Sequence, residues 1–332
     1  MPGLYIQWHI TDACNLRCTH CYQEGYSVKT GFGLEGLKKT ADAIAAAAKK
    51  LRTKAVINLT GGEPFLKNEL IPLCEYLNSL KEIKEFIIIS NGIPLTDHKL
   101  FALERFKKLY EIKVSLEGAS AAVNDSIRGK GSFAEAVKGL KMIAAHGFIP
   151  TIMFTAMKSN FRELPLLAVL AKELDADGII VERFIPMGNG AAIKKEVLAR
   201  GEWRELVSSV LALSREKIAM DEIYDWRAFW IRIPRGGKVK IYGANCNISK
   251  RNFCVMPDGS VYPCRRFGLK IGNILETPLY EIMESNTLKE ILNGPKKGKC
   301  RGCEIIDCRG CPALAYHLCG DYLGEDSQCY KG

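Results

Sequence analysis

Residues 5–22 read YIQWHITDACNLRCTHCY: a β-branched and aromatic strand, Tyr5 to Ile10, runs straight into a loop that carries three cysteines. Working outward, the same strand-then-loop unit recurs. Strand-like runs at Ala55 to Leu59, Phe86 to Ser90, Ile112 to Leu116, Thr151 to Thr155 and Gly178 to Phe184 alternate with amphipathic segments such as Leu34 to Leu51, Leu66 to Leu80 and Phe133 to Ala145. Six β runs separated by stretches of helical period are the pattern of βα units on a parallel sheet. Residues 187–245 break the rhythm. A helical stretch near Trp203 to Leu213 leads into Trp226, Phe229 and Trp230 and a turn at Gly236 and Gly237, and is expected to bridge two domains. The three aromatics suit either a substrate-cleft wall or simple packing.

From Cys246 onward nine cysteines fall close together and periodicity fades, as expected where metal clusters rather than an apolar core organise the chain. Thirteen cysteines in a short secreted protein would suggest disulfides. This chain has 332 residues, no basic n-region or cleavage site at its start, and cysteines in two tight groups, so metal or iron-sulfur ligation is the better account. No apolar run is long enough to span a bilayer, so no membrane partner is expected and the default location is cytoplasmic. The net charge of +10 is spread over scattered Lys and Arg without a base-reading motif, so no nucleic-acid partner is expected. Cluster-bound thiolates would reduce that charge further.

Cys14, Cys18 and Cys21 form C-x3-C-x2-C directly after the first strand. Three thiolates are one short of a filled site, which leaves one iron of a [4Fe-4S] cluster open to an outside ligand. A structural zinc loop borrowing His20 as its fourth ligand is the alternative for the triad alone. The next three strands also end in small or polar signatures: Thr60-Gly61-Gly62-Glu63-Pro64, Ser90-Asn91-Gly92 and Ser115-Leu116-Glu117-Gly118. In a parallel barrel such ends converge on one face. Glycine lets backbone approach a ligand, and Ser90, Asn91 and Ser115 offer partners for a ribose or an amino acid.

C-x3-C-x2-C followed by Gly-Gly-Glu-Pro after the second strand resembles the radical SAM superfamily. The resemblance implies an α/β fold, a partial (βα)6 TIM-type barrel over residues 1–186 with a small C-terminal cysteine-rich cluster-binding domain. It implies a [4Fe-4S] cluster on Cys14, Cys18 and Cys21 whose open iron is chelated by S-adenosylmethionine (SAM). Gly61, Gly62 and Glu63 would lie at the SAM amino group, Ser90 and Asn91 at the ribose, and Ser115 with Arg128 at the carboxylate. A guanidinium fork suits a carboxylate. His20 and Tyr22 flank the last cysteine, where stacking on adenine and shielding the cluster from solvent both suit them. Reductive cleavage would yield methionine and a 5′-deoxyadenosyl radical that takes a hydrogen atom from the substrate. Glu117 stands where the family often has an acidic residue near the site, although a solvated loop carboxylate reads the same way.

The tail, residues 246–332, carries Cys246-x7-Cys254-x4-Gly259-x4-Cys264, then Cys300-x2-Cys303-x4-Cys308-x2-Cys311, Cys319 and Cys329. This resembles the SPASM domain, with the spacings on either side of Cys308 each one residue short. The resemblance assigns Cys246, Cys254, Cys264 and Cys311 to one auxiliary [4Fe-4S] cluster and Cys300, Cys303, Cys308 and Cys329 to a second. Zinc also suits such arrays. Cys319, beside Gly320 and Asp321, is a candidate spare ligand, buried thiol or hydrogen-atom donor. Cys74 reads as a small hydrophobe on an apolar helix face. Lys296, Lys297 and Lys299 read as a solvated turn or a docking site for an acidic electron donor such as flavodoxin or ferredoxin.

Proteins that join these two parts commonly modify peptides or proteins, so a peptide or protein substrate is expected. The barrel begins close to Met1, so leader recognition is expected from a separate partner. Two alternatives stand: tetrapyrrole side-chain chemistry of the heme type, because Gly310-Cys311 leading to Gly320-Asp321 resembles such enzymes, and a non-catalytic zinc-stabilised binding module.

Overall fold

The computed structural model describes residues 3–27, 31–214, 217–305 and 308–331. Six parallel strands stand side by side in chain order: β1 (Leu4–Thr11), β2 (Ala55–Gly61), β3 (Ile83–Ser90), β4 (Leu109–Ser115), β5 (Pro150–Ala156) and β6 (Gly178–Arg183). The helices between them are α1 (Leu34–Lys50), α2 (Leu70–Ser79), α3 (Asp97–Leu103), α4 (Ala121–Arg128), α5 (Ser132–Ala145) and α6 (Leu164–Glu173). Helix α1 shows why they pack as they do. Leu37, Ala41, Ile44 and Ala48 recur at helical spacing and are all buried, with Glu35 in the first turn and Lys49 and Lys50 in the last, where each charge opposes the helix dipole. In β1, Leu4, Ile6, Trp8 and Ile10 join that core, while Gln7 faces the barrel interior.

The six expected strands are present, within two or three residues at their ends. The segment expected as one helix from Leu66 to Leu80 is divided: a 3-10 turn spans Pro64–Leu66 and α2 starts only at Leu70. Glu63 caps that turn by accepting from the Phe65 N–H, and Pro64 restricts the backbone that follows.

The barrel is partial because neither edge strand meets the other. Residues 187–245, expected only to bridge domains, add α7 (Arg200–Ala212) and two strands, β7 (Ala228–Arg232) and β8 (Lys240–Ala244). Strand β7 runs antiparallel to β6, with Gly178 opposite Arg232, and β8 pairs with β7. At the far edge the tail supplies β9 (Asn252–Val255), parallel to β1 with Gln7 opposite Cys254, followed by β10 (Ser260–Tyr262) and β11 (Gly272–Asn273). The result is one eleven-stranded sheet in the order β11-β10-β9-β1-β2-β3-β4-β5-β6-β7-β8. Both divisions expected from the sequence therefore fall between strands of a single sheet. Capping each barrel edge with further strands satisfies backbone groups that an open edge would leave exposed.

Beyond β11 lie the short helices α8 (Leu279–Ile282), α9 (Asn286–Asn293) and α10 (Pro312–Cys319). Phe229 packs between Trp203 and Trp226, at 5.8 and 5.9 Å between ring centroids, and Trp230 lies against Tyr242. The aromatic segment is packing, and none of its three rings reaches the cavity described below. Among the described residues no helix is long and apolar enough to cross a membrane.

Candidate active site

The C-terminal ends of β1 to β6 surround a cleft of about 910 Å³, counting its open mouth. Cys14, Cys18 and Cys21 all line it. Their loop is held by its own backbone: Cys21 N–H donates to Cys18 O, Gly190 N–H to Cys21 O, and Thr19 N–H to Ile127 O. Two of the sulfurs already accept backbone N–H groups, Cys14 from Leu16 and Cys21 from Gln23, both at 3.5 Å. Burial pushes the free Cys14 thiol up to about 11 and raises Cys18 as well, against the pull of Arg128. As cluster ligands these thiols would bind iron as thiolates, releasing their protons to solvent.

The Gly-Gly pair is required by protein, not only by a ligand. A Cβ on Gly61, where φ is +132°, would lie 2.1 Å from Thr11 O, and one on Gly62 would lie 2.2 Å from Ala13 O. The strand-2 loop is stitched to the cysteine loop there, with Gly62 N–H donating to Thr11 O at 2.8 Å and Glu63 N–H to Ala13 O at 2.7 Å. Tyr22 closes the same seam by donating its hydroxyl to Gly61 O at 3.2 Å while its ring meets His9.

Of the residues expected around SAM, Gly61, Gly62, Ser90, Asn91, Ser115, Arg128, His20 and Tyr22 line the cleft. Glu63 does not. Its carboxylate is fully buried behind the wall and accepts from Phe65 N–H (3.0 Å), Ser90 Oγ (2.9 Å) and Asn91 N–H (2.7 Å). It is a strut joining the ends of β2 and β3. Burial raises this carboxyl, and those three hydrogen bonds oppose the rise. Asn91 reaches back to the cysteine loop, donating to Asn15 Oδ1 at 2.8 Å.

Glu117 does line the cleft, as a buried organiser and not a solvated loop carboxylate. It is 1% exposed and accepts from Arg128 Nη1 (3.0 Å) and Thr155 N–H (2.7 Å), with His20 Nε2 at 3.2 Å. Burial alone would raise its carboxyl, but His20, Arg128 and the Thr155 N–H outweigh burial and hold it below the usual glutamate range. The pairing engages His20 Nε2, while its Nδ1 is buried without a hydrogen-bond partner among the described residues.

The floor of the cleft holds groups that sequence reasoning missed. Gln7 and Glu182, from β1 and β6, meet Arg265 and Arg266, which follow Cys264 in the tail. Arg265 donates to Gln7 Oε1 at 2.7 Å and pairs with Glu182. Glu182 and Arg183 sit at a strand end like the three motifs that were recognised, and that position was the available signal. The tail thus walls the same cavity as the barrel.

In the tail, Cys300, Cys303 and Cys329 share a second cleft of about 640 Å³ with Lys299 and Lys331. Burial, then Cys311 and Cys264, push Cys246 up to about 12, and burial with Cys264 raises Cys254. Among the described residues no three His, Cys, Asp or Glu side chains close on a single-ion site; Cys14, Cys18 and Cys21 stand around the first cleft, and Cys300, Cys303 and Cys329 around the second. Grouped thiols around a space suit a polynuclear cluster, whose ligands bind different irons. Cys319 is exposed at the end of α10 and outside both clefts, so the structure does not bring it to the site as a hydrogen-atom donor. Cys74 is fully buried in the core, as expected. Of the three tail lysines, Lys297 is exposed and pairs with Asp321, Lys299 is half-buried and donates to Cys329 O, and the Lys296 Nζ is buried.

Comparison with known proteins accords with this geometry. Residues 8–165 match the Radical SAM superfamily and residues 246–304 match SPASM, an iron-sulfur cluster-binding domain. The chain is 29% identical to the AdoMet-dependent heme synthase of Methanosarcina barkeri, covering 98% of this chain and 95% of that protein. It is 26% identical to the antilisterial bacteriocin subtilosin biosynthesis protein AlbA of Bacillus subtilis, over 96% of this chain and 70% of that one. Its fold is similar to that of Streptococcus suis SuiB bound to the precursor peptide SuiA, with a TM-score of 0.73 at 18% identity, covering 98% of this chain and 76% of that one. The chain belongs to the radical SAM superfamily and is a SPASM-bearing radical SAM enzyme, with SAM, an N-terminal [4Fe-4S] cluster and auxiliary iron-sulfur clusters as its cofactors.

Proposed function

We propose that this enzyme modifies a peptide or protein, acting on a residue presented at the mouth of the barrel cleft. One observation carries the reading: the three loop thiols, the small strand ends and the Arg265–Glu182 floor wall one cavity that stays open on one side. An open mouth admits a single residue of a longer chain. The similarity to SuiB, seen with a precursor peptide, supports the same class of substrate.

Within the cleft we assign Cys14, Cys18 and Cys21 to the cluster and the Gly61–Gly62 backbone to the SAM amino group. Ser90 and Asn91 face the ribose, and Ser115 with Arg128 the carboxylate. Glu63 acts behind these groups, fixing the ends of β2 and β3, and Glu117, on the cleft wall, orients Arg128 and His20. When bound, the reduced cluster and SAM together supply a 5′-deoxyadenosyl radical that removes a hydrogen atom from the substrate. The protein positions the reactants and limits water at the reacting carbon. We assign Cys246, Cys254, Cys264 and Cys311 to one auxiliary cluster and Cys300, Cys303, Cys308 and Cys329 to the other. The reading also implies a cytoplasmic enzyme, a flavodoxin or ferredoxin as electron donor, and leader recognition by a partner.

A second reading, tetrapyrrole side-chain chemistry, rests on the similarity to the heme synthase over nearly the whole of both chains. The test is 5′-deoxyadenosine formation by the anaerobically reconstituted, dithionite-reduced enzyme, with a cysteine-rich peptide or a propionate-bearing porphyrin added. Stimulation by the peptide supports the first reading. Stimulation by the porphyrin alone replaces it with the second.

A further inference from the structure

Between the two groups of tail cysteines lies a buried ionic triad that the radical chemistry does not use. Asp326 is fully buried and lies 2.7 Å from Arg183 Nη1 and 2.8 Å from Arg227 Nε. Arg183 comes from the end of β6 and stacks over Trp203, 4.2 Å from the ring centroid. Arg227 immediately precedes β7 and is also buried. Its Nη1 donates to Tyr224 O and Trp226 O, and its Nη2 donates to the Cys308 sulfur at 3.3 Å. That sulfur accepts a second hydrogen bond, from Gly310 N–H at 3.4 Å.

Two donors, one of them a charged guanidinium, are more than a neutral thiol needs. They match a thiolate. The charge balance agrees: Arg183 and Arg227 share one carboxylate, and nearby Lys296 Nζ is buried with no partner among the described residues. A buried excess of positive charge is costly unless an anion offsets it, and cysteine-ligated clusters are anions.

We propose that Arg227 raises the reduction potential of the auxiliary cluster that Cys308 helps to hold, by donating to its sulfur, and that Asp326 on the same guanidinium opposes it. Reduction adds one electron, taking [4Fe-4S]2+ to [4Fe-4S]+. A donor at a ligand sulfur stabilises that added negative charge, and a nearby carboxylate disfavours it. Arg227 is a positioning residue: it works through Cys308 and touches no substrate.

This rests on the tail holding iron-sulfur clusters, and the test keeps the two claims apart. The full-length chain with Cys14, Cys18 and Cys21 all changed to Ala is reconstituted, so that only the tail clusters respond. Iron and sulfide are quantified, and the clusters are titrated with dithionite under EPR. Arg227→Met should lower one tail potential, Asp326→Asn should raise it, and Arg227→Lys should fall between Arg227→Met and the parent. A purely structural network predicts shifts of one sign for both neighbours. Loaded clusters whose potential stays fixed, or moves the same way in the Met and Asn variants, overturn the proposal and leave the cluster reading standing. If Arg227→Met fails to load, the opposite-sign requirement passes to Asp326→Asn and Arg227→Lys. A parent tail without iron and sulfide overturns both.

Discussion

The mouth of the barrel and the cysteine-rich tail solve the same problem, holding sulfur ligands in place, in different ways. At the mouth, Glu63 and Glu117 are each met by several protein donors, and Gly61 and Gly62 lock the cysteine loop to its neighbour by backbone contact. That site is organised by the chain's own hydrogen bonds. In the tail, strands shrink to three and two residues in β10 and β11, and a lysine amine is buried with no partner among the described residues. The tail also buries apolar side chains of its own, Phe267, Ile282, Leu288 and Leu314 among them, so bound clusters would add to a packed tail rather than replace its core.

The largest effect tests the independence of the two. Changing Cys14, Cys18 and Cys21 together to Ala should abolish dithionite-dependent 5′-deoxyadenosine formation while leaving the melting temperature and the tail iron nearly unchanged. Loss of tail iron in that variant would break the comparison. Next, anaerobic chelation of all iron should make backbone amides of residues 246–331 exchange faster with deuterium while β2 to β5 stay protected. Uniform protection would show that the tail does not depend on metal.

Within the mouth, Glu117→Ala strands a buried guanidinium and should cost about 3–5 kcal/mol in urea denaturation, with SAM binding weakened. Glu117→Gln sharpens this through pH. The folded carboxyl is held below the usual glutamate range, so its stabilisation is fully present above that range and is lost as pH falls through the depressed folded value. The gap between wild type and Glu117→Gln should therefore be widest near neutrality and narrow in acid. Gly62→Ala should cost about 1–3 kcal/mol, because the new methyl meets a carbonyl oxygen that cannot yield without moving the cysteine loop. The smallest effect is Cys319→Ala, expected within about 0.5 kcal/mol of wild type and with full turnover, as for an exposed residue away from both clefts.

Much of the mouth was legible because several cavity-lining residues sit at or just after strand ends, and strand ends can be read from local periodicity; Arg128, at the end of α4, was placed there only by the family resemblance. Cys14, Gly61, Ser90 and Ser115 were all found by that one signal. It does not distinguish a side chain that faces the cavity from one that braces the wall, which is why Glu63 read as lying at the SAM amino group. Strands β7 and β9 were missed for another reason. Each is four or five residues long and gains its structure from a partner far away in the chain, β6 or β1, so no local pattern announces it. The same distance hid Arg265 and Arg266, which reach the cleft only because β9 and β10 lay the tail beside β1.

Strand β1, the carrier of the cluster loop, has neighbours made at very different times. Translation delivers β2 soon after β1, but β9 appears more than two hundred residues later, roughly 10–50 s at ordinary rates of synthesis. For that interval the outer edge of β1 is an unpaired template on the nascent chain, open to strands of other molecules. The last quarter of the polypeptide therefore acts as a built-in guard for its first strand, and a truncation before β9 should yield aggregates rather than a smaller enzyme.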